Sequence, residues 1–244
     1  MQRTSLIAAA ASLAAGLAIA GTASADHLDY YTANLQPLNG SNVTGNAVLI
    51  HDTDTNMLQV TVQMSNLEPN MAHNGHIHGL FDDMGNTADS QTPTLANDTD
   101  GDGFIEVLEG VPAYGDVITT FSSTQLSGND PTTITAYNAN NDGSLTIVQT
   151  FDLNDEGQFF SPVTGADYDG GDLFPLNFRE IVFHGMTVAT GEGAGTGGEV
   201  DGSGGYKALL PVTAGEIVGM PVPEPTSAAL LGLGALGFLG RRRR

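Results

Sequence analysis

Cysteine and tryptophan are absent from all 244 residues. A chain without cysteine has neither disulfides nor thiolate metal ligands, so its stability must come from core burial and from any ion held by oxygen or imidazole. Positive charge is scarce as well. Between residues 26 and 223, Arg179 and Lys207 are the two basic residues against 27 aspartates and glutamates, a formal balance of −25. That surface repels nucleic-acid phosphates and anionic headgroups and favours divalent cations, which excludes a nucleic-acid partner. Also lacking are a nucleophile elbow, a phosphate-cradling glycine loop and a helix-borne metal motif.

The two ends are ordered like address labels. Arg3, the apolar run Leu6–Ala20 and the small-residue site Ala23-Ser24-Ala25 make residues 1–25 a signal peptide, with cleavage set by Ala23 and Ala25. At the other end, Val222-Pro223-Glu224-Pro225 precedes fifteen uncharged residues, Thr226–Gly240, and then Arg241, Arg242, Arg243 and Arg244. As a helix that apolar stretch is about 22 Å long, below the roughly 30 Å of a hydrocarbon core, so it suits a transient tether. The arginines would stay cytoplasmic. Residues 222–244 resemble the PEP-CTERM sorting signal of Gram-negative bacteria. The resemblance implies the export machinery and then an exosortase-type membrane protease as partners, with cutting near Pro223–Pro225. It further implies delivery to the cell surface or extracellular matrix, where extracellular polysaccharide or other surface proteins would be met.

Residues 26–221 read as one domain of short strands. Tyr30–Leu35, Val43–His51, Met57–Met64, Thr132–Tyr137, Leu145–Phe151, Phe178–Val188 and Tyr206–Ile217 are rich in Val, Ile, Thr and aromatics. Turn clusters such as Asp52–Asn56, Asn140–Gly143 and Asn154–Gly157 separate them. Strict alternation in Leu58–Met64 means one face buried and one face wet. The expected fold is all-β, an antiparallel Greek-key-like sandwich, flanked by the signal helix and a short C-terminal transmembrane helix. The Gly-rich, acidic stretch 191–205 is a long surface loop.

Inserted in this pattern is a twelve-residue EF-hand-type loop, Asp98–Glu109. Carboxylates stand at loop positions 1, 3, 5, 9 and 12, glycine at 6 and isoleucine at 8. Calcium takes six to eight oxygens at about 2.3–2.6 Å, so the loop must wrap round it. Asp98, Asp100 and Asp102 would give side-chain oxygens, Phe104 its carbonyl, Glu106 a direct or water-mediated contact, and Glu109 a bidentate clamp. Pro93 lies upstream and Gly110-Val111-Pro112 is expected to stop an exit helix after one turn, so the loop reads as a structural staple.

Four histidines gather in two places, His73, His76 and His78 in Ala72–Gly79 and His184 in Ile181–Gly185. On a strand His76 and His78 share a face and could share one ion, and neutral imidazoles suit copper or zinc. His27 and His51 read as ordinary surface residues. Asn66-Leu67-Glu68-Pro69, the His73–Gly79 segment and the late Arg179–Gly185 strand resemble the chordin-type (CHRD) domain, which implies a sandwich and no defined activity. The same elements are similar to copper/zinc superoxide dismutases. That resemblance implies His76, His78 and His184 as copper ligands, His73 as a structural neighbour, and Lys207 near the place of an anion-guiding arginine. No histidine occurs between 79 and 183, so a bridging ligand and a zinc subsite are missing. The sequence therefore supports an exported, surface- or matrix-sorted, calcium-stabilised domain with a non-enzymatic structural or interaction role, and a copper-dependent, dismutase-like oxidoreductase using His76, His78 and His184 is the competing reading.

Overall fold

Alternation decides the layering. In the computed structural model, which describes residues 27–221, the third strand buries Leu58, Val60, Val62 and Met64 and exposes Gln59, Gln63 and Ser65. The expected signal peptide with Ala23 and Ala25, and the tail with its Pro-Glu-Pro, apolar stretch and arginines, lie outside the described residues.

Among the described residues, eleven strands and one α-helix follow in order: β1 (Leu28–Pro37), β2 (Thr44–Asp52), β3 (Met57–Ser65), β4 (Ala72–His73), β5 (Gly75–Phe81), β6 (Thr87–Ala88), α1 (Val107–Tyr114), β7 (Asp116–Phe121), β8 (Tyr137–Asn138), β9 (Leu145–Asp152), β10 (Arg179–Val188) and β11 (Gly205–Gly219). From β5 the main sheet runs through β10, β11, β1, β2 and β3 to β9, all antiparallel, with β6 and β7 sharing the far edge of β5. The first and last long strands are neighbours, Tyr31 opposite Gly219. The sheet folds over so that β7 meets β9. There the Gln149 side chain accepts from Ser122 N–H at 2.9 Å and donates to Thr120 O at 3.4 Å.

Between the two layers lies the main core. Phe121 of β7 stacks on Phe183 of β10 at 5.5 Å and meets Phe151 of β9 at 6.1 Å, which joins the layers through aromatic contacts. Each such side chain buried contributes roughly 1.5–3 kcal/mol. A smaller cluster, Leu38, Ile105, Tyr114, Val182 and Ala214, covers the other side of β10 and β11.

Three expectations need correction. Thr132–Tyr137 is not a strand: Pro131–Thr133 is a 3-10 turn capped by Asp130, and only Tyr137–Asn138 pairs, with β4. The exit helix does not stop after one turn, because α1 continues through Pro112 to Tyr114. Pro112 gives up its N–H and its ring crowds the carbonyl one turn back, but the Gly115 N–H to Val111 O bond (2.8 Å) still closes the last turn. His51 is not a surface residue. It falls on the inward face of β2, 8% exposed, against the Phe174 ring at 4.8 Å and 3.8 Å from an Asp29 carboxylate.

Two ionisable residues, consecutive in sequence at the start of β10, are fully buried. Arg179 donates to Asp172 O at 2.7 Å and lies 5.0 Å over the Phe81 ring. Glu180 accepts the Thr92 hydroxyl at 2.5 Å with one oxygen, and its other oxygen has no hydrogen-bond partner. Burial, reinforced by Glu216 and Asp89, pushes its carboxyl up to about 8. A folded-state value above the unfolded one means the native chain holds the extra proton, so this contribution is complete at low pH and is lost as pH rises toward 8. We therefore expect Glu180→Gln to match the parent near pH 5 and to exceed it by pH 8.5, with the gap growing by up to about 1.4 kcal/mol per pH unit. Denaturant titrations at several pH values check this, and parallel curves would contradict it.

Candidate metal centre and acidic loop

The register between β5 and β10 builds the centre. His78 lies opposite Glu180 and His76 opposite Val182, while Ile77 and Ile181 alternate into the main core. His76 and His78 thus project to the side that α1 covers. Register shifts flank His184, where the ladder runs past Pro211, and Gly185 adopts φ +110°. A Cβ at Gly185 would strike the Tyr206 hydroxyl. A bulge of this kind re-aims a side chain, and here it brings the third imidazole to the other two.

One ring nitrogen from each of His76, His78 and His184 lies within 4.8 Å of the others. His76 Nδ1 is 3.3 Å from His184 Nε2. Nitrogens held tetrahedrally at roughly 2.0–2.1 Å from one ion stand about 3.3 Å apart, so this pair already has a chelating separation. Backbone carbonyls set the tautomers. His78 Nδ1–H donates to Gly115 O at 3.1 Å and His184 Nδ1–H to Leu209 O at 2.6 Å, which leaves the Nε2 lone pair of each for the centre. His78 Nε2 is buried and has no partner. The donor set fits a borderline metal such as copper or zinc.

All three rings are held neutral. Burial lowers His78 to about 3 and His184 to about 4, and it takes His76 well below the usual imidazole range, with His184 and His78 adding to the effect. No fourth His, Asp or Glu joins the group among the described residues. Tyr114, fully buried, lies over His78 with ring centroids 4.4 Å apart.

His73 is a neighbour of the centre. Its Nδ1 faces His184 O at 2.9 Å and its Nε2 faces Glu68 O at 3.1 Å, so it ties the Glu68 turn to the bulge. Lys207, expected near an anion-guiding position, is held by Asp201 at 3.1 Å and the Ser203 hydroxyl at 3.0 Å.

The loop that starts at Asp98 gathers three of its acids. Carboxylate oxygens of Asp98, Asp100 and Asp102 lie within 4.8 Å of one another. Asp98 also accepts the N–H groups of Gly101 and Gly103, and one oxygen of Asp102 is buried without a partner. Glu106 and Glu109 are turned elsewhere. One Glu109 oxygen accepts Thr99 N–H at 2.6 Å and Thr99 Oγ1–H at 2.8 Å, and the other accepts Glu106 N–H at 3.1 Å. Glu106 accepts Val200 N–H at 2.5 Å while Glu199 accepts Val107 N–H at 3.2 Å, a reciprocal clasp to the Gly-rich loop. The Phe104 ring packs against Val188, Val200 and Leu210. Burial raises Asp102, Glu106 and Glu199 above the usual carboxylate range, with neighbouring acids adding to it. Burial acts the same way on Glu109, but its N–H donors outweigh it and hold that group low.

Sequence reasoning passed over several members of this site. Tyr114 and the carbonyls of Gly115 and Leu209 gave no signal, because a backbone acceptor is anonymous in sequence. Glu199 was readable only as one more acid in a loop.

Residues 221–244 match the PEP-CTERM protein-sorting motif, which marks the chain for export and surface sorting through an exosortase-type membrane protein. Among proteins with curated descriptions, none matches the sequence. In fold, the described body is similar to a SOD-like protein from Bacillus subtilis, with 12% identity, 77% of this chain and 97% of that one covered, and a TM-score of 0.35. At that score neither function nor ligands transfer.

In metal-free protein, the imidazole signals of His76, His78 and His184 are expected to stay in the neutral form from pH 7 down to about pH 5. Their depressed values also make the native state lose stability as pH falls below the unfolded histidine range, because only the unfolded chain then takes up protons there. A carbon-detected NMR titration checks the first point. Three rings titrating near 6.5 would show that the pocket is open to water.

Proposed function

We propose that this chain is an exported, surface-sorted β-sandwich that holds one copper or zinc ion at His76, His78 and His184. The observation that carries this reading is the convergence of three buried, neutral imidazoles, one pair at chelating distance and one nitrogen without any partner. A buried polar atom left unpaired costs about 1–3 kcal/mol, a penalty that coordination would remove. Bound there, zinc would act as a Lewis acid and copper would add one-electron chemistry. The chain's own part is to orient and shield. Gly115 and Leu209 hold the tautomers, and Tyr114 keeps water from the His78 side. The Glu68 turn, β5 and β10, on which the chordin-type resemblance rests, are neighbours in this arrangement, which supports that family reading.

The Asp98–Glu109 loop is proposed as a calcium staple. Its three aspartates converge, and burial, with neighbouring acids adding to it, raises Asp102 and Glu106, a cost that a divalent cation would offset. To complete the coordination, Glu109 would have to exchange its N–H partners for the ion. A dismutase-like oxidoreductase is the second reading, favoured by the coordination position that a three-ligand set leaves free. Lys207, held by Asp201, does not favour it.

Metal analysis of the purified protein tests the assignment. After supply of copper and zinc, about one equivalent of transition metal per chain is expected. His76→Ala and His78→Ala should each lose it, and Asp98→Ala should keep it. Retention of neither metal by the parent would sink the proposal, and a superoxide assay on the copper-loaded protein decides the second reading.

Calcium is tested by melting. At a hundred times its dissociation constant it should stabilise the parent by about 2.7 kcal/mol, and Asp98→Ala should not respond. A chelator without effect on the parent would remove the staple.

A further inference from the structure

The outer side of β1, β2, β3 and β9 carries neither the histidine centre nor the acidic loop. Register sets its side chains in rows across the four strands, the middle one being Thr32, Val48, Thr61 and Val148. Val48 is 37% and Val148 61% exposed. The flanking rows start at Tyr30 and Asn34 and continue with Ile, Gln, Asn and Thr alone. No Asp, Glu, Lys or Arg occurs in the three rows, on a protein with 27 acidic residues between 26 and 223. Charge enters the face at its end, where the next row in register, Leu28, Asp52, Met57 and Asp152, brings two aspartates; the three rows between are neutral.

Depressions adjoin it at two places. One of about 450 Å³ lies between Asn34 and Ser65 and is walled by amides and hydroxyls. The other, of about 270 Å³, shares Val148 and Thr150 with the face and is lined by Ser, Thr and Gln side chains and Tyr137. Neither lining includes a charged residue.

We propose that this face docks an uncharged polysaccharide. A pyranose ring has an apolar C–H face and a rim of hydroxyls. The valines and threonine methyls of the middle row match the first, and the amides and hydroxyls of the flanking rows match the second. Strands stand about 4.8 Å apart, a spacing on the scale of one sugar ring. Neutral donors and acceptors exchange water for sugar hydroxyls without the cost of desolvating an ion. The strongly acidic surface elsewhere disfavours a polyanion, and it disfavours a second copy of this chain laid face to face. A polycation would find its complement on the acidic loops.

The test uses the full-length protein in sedimentation with insoluble cellulose and affinity electrophoresis with dextran, with alginate as the anionic control. Binding to at least one neutral polymer and none to alginate is expected. Val48→Glu and Thr61→Lys should each weaken binding by about tenfold or more while the melting temperature stays at the parent's value. Two substitutions of opposite charge separate loss of the neutral face from a simple electrostatic effect, and either one serves if the other fails to fold. Failure to bind either neutral polymer, or binding unchanged by both substitutions, overturns the proposal. So does self-association that Val48→Glu abolishes in a protein that binds no glycan, because the face would then be an interface between copies. The metal content is unaffected by any of these outcomes.

Discussion

Everything at the centre depends on one pairing, that of β5 with β10. Its register gives each residue a side by a period of two, so Ile77, Ile181 and Phe183 enter the aromatic core while His76 and His78 emerge opposite. A slip of one residue would exchange the two sets, placing imidazoles among phenylalanines and isoleucines under the helix. Core burial and site geometry are therefore enforced by the same hydrogen bonds. The bulge at His184, in the ladder with β11, is the departure that completes the triad.

The acidic loop and the histidines are joined by eight residues. Glu106 and Glu109 cap the start of α1, the Tyr114 hydroxyl reaches back to Val107 O at 3.0 Å, and Gly115 beyond the helix supplies the carbonyl that orients His78. Gly110 leaves room for the Tyr114 ring, which a Cβ there would strike. The loop and helix thus form the wall of the imidazole pocket, and the Gly-rich 191–205 stretch clasps that wall from outside through Glu199 and Val200.

Much of this was legible in the sequence, and the reasons are physical. β-branched and aromatic content between turn clusters gave β2, β3, β9 and β10 to within a residue or two at each end, and in β3 strict alternation also recorded which face is buried. The same rule, applied to His51, would have placed it indoors with Ala47 and Leu49. It was read instead by residue type. Thr132–Tyr137 misled because threonine and isoleucine suit a strand, while Asp130-Pro131 ahead of them is a helix-start signal. β7, Asp116–Phe121, carried a β-branched run that the nearby acidic motif overshadowed. The His-x-His pair was visible as a shared face, but its meeting with His184 depends on which strands pair, and that is not a local property.

One consequence follows from the ends of the sheet. The chain enters through β1 and leaves through β11, and these strands lie side by side with Tyr31 opposite Gly219 and Met220 N–H bonded to Tyr30 O at 2.7 Å. Tension applied between the two ends would peel these strands apart one hydrogen bond at a time, like a zip, instead of shearing many at once. Such a body bears little load when pulled from both ends. Held by one end alone, it would feel no pull across that seam, and drag from moving fluid would pass through a single attachment without opening the sheet.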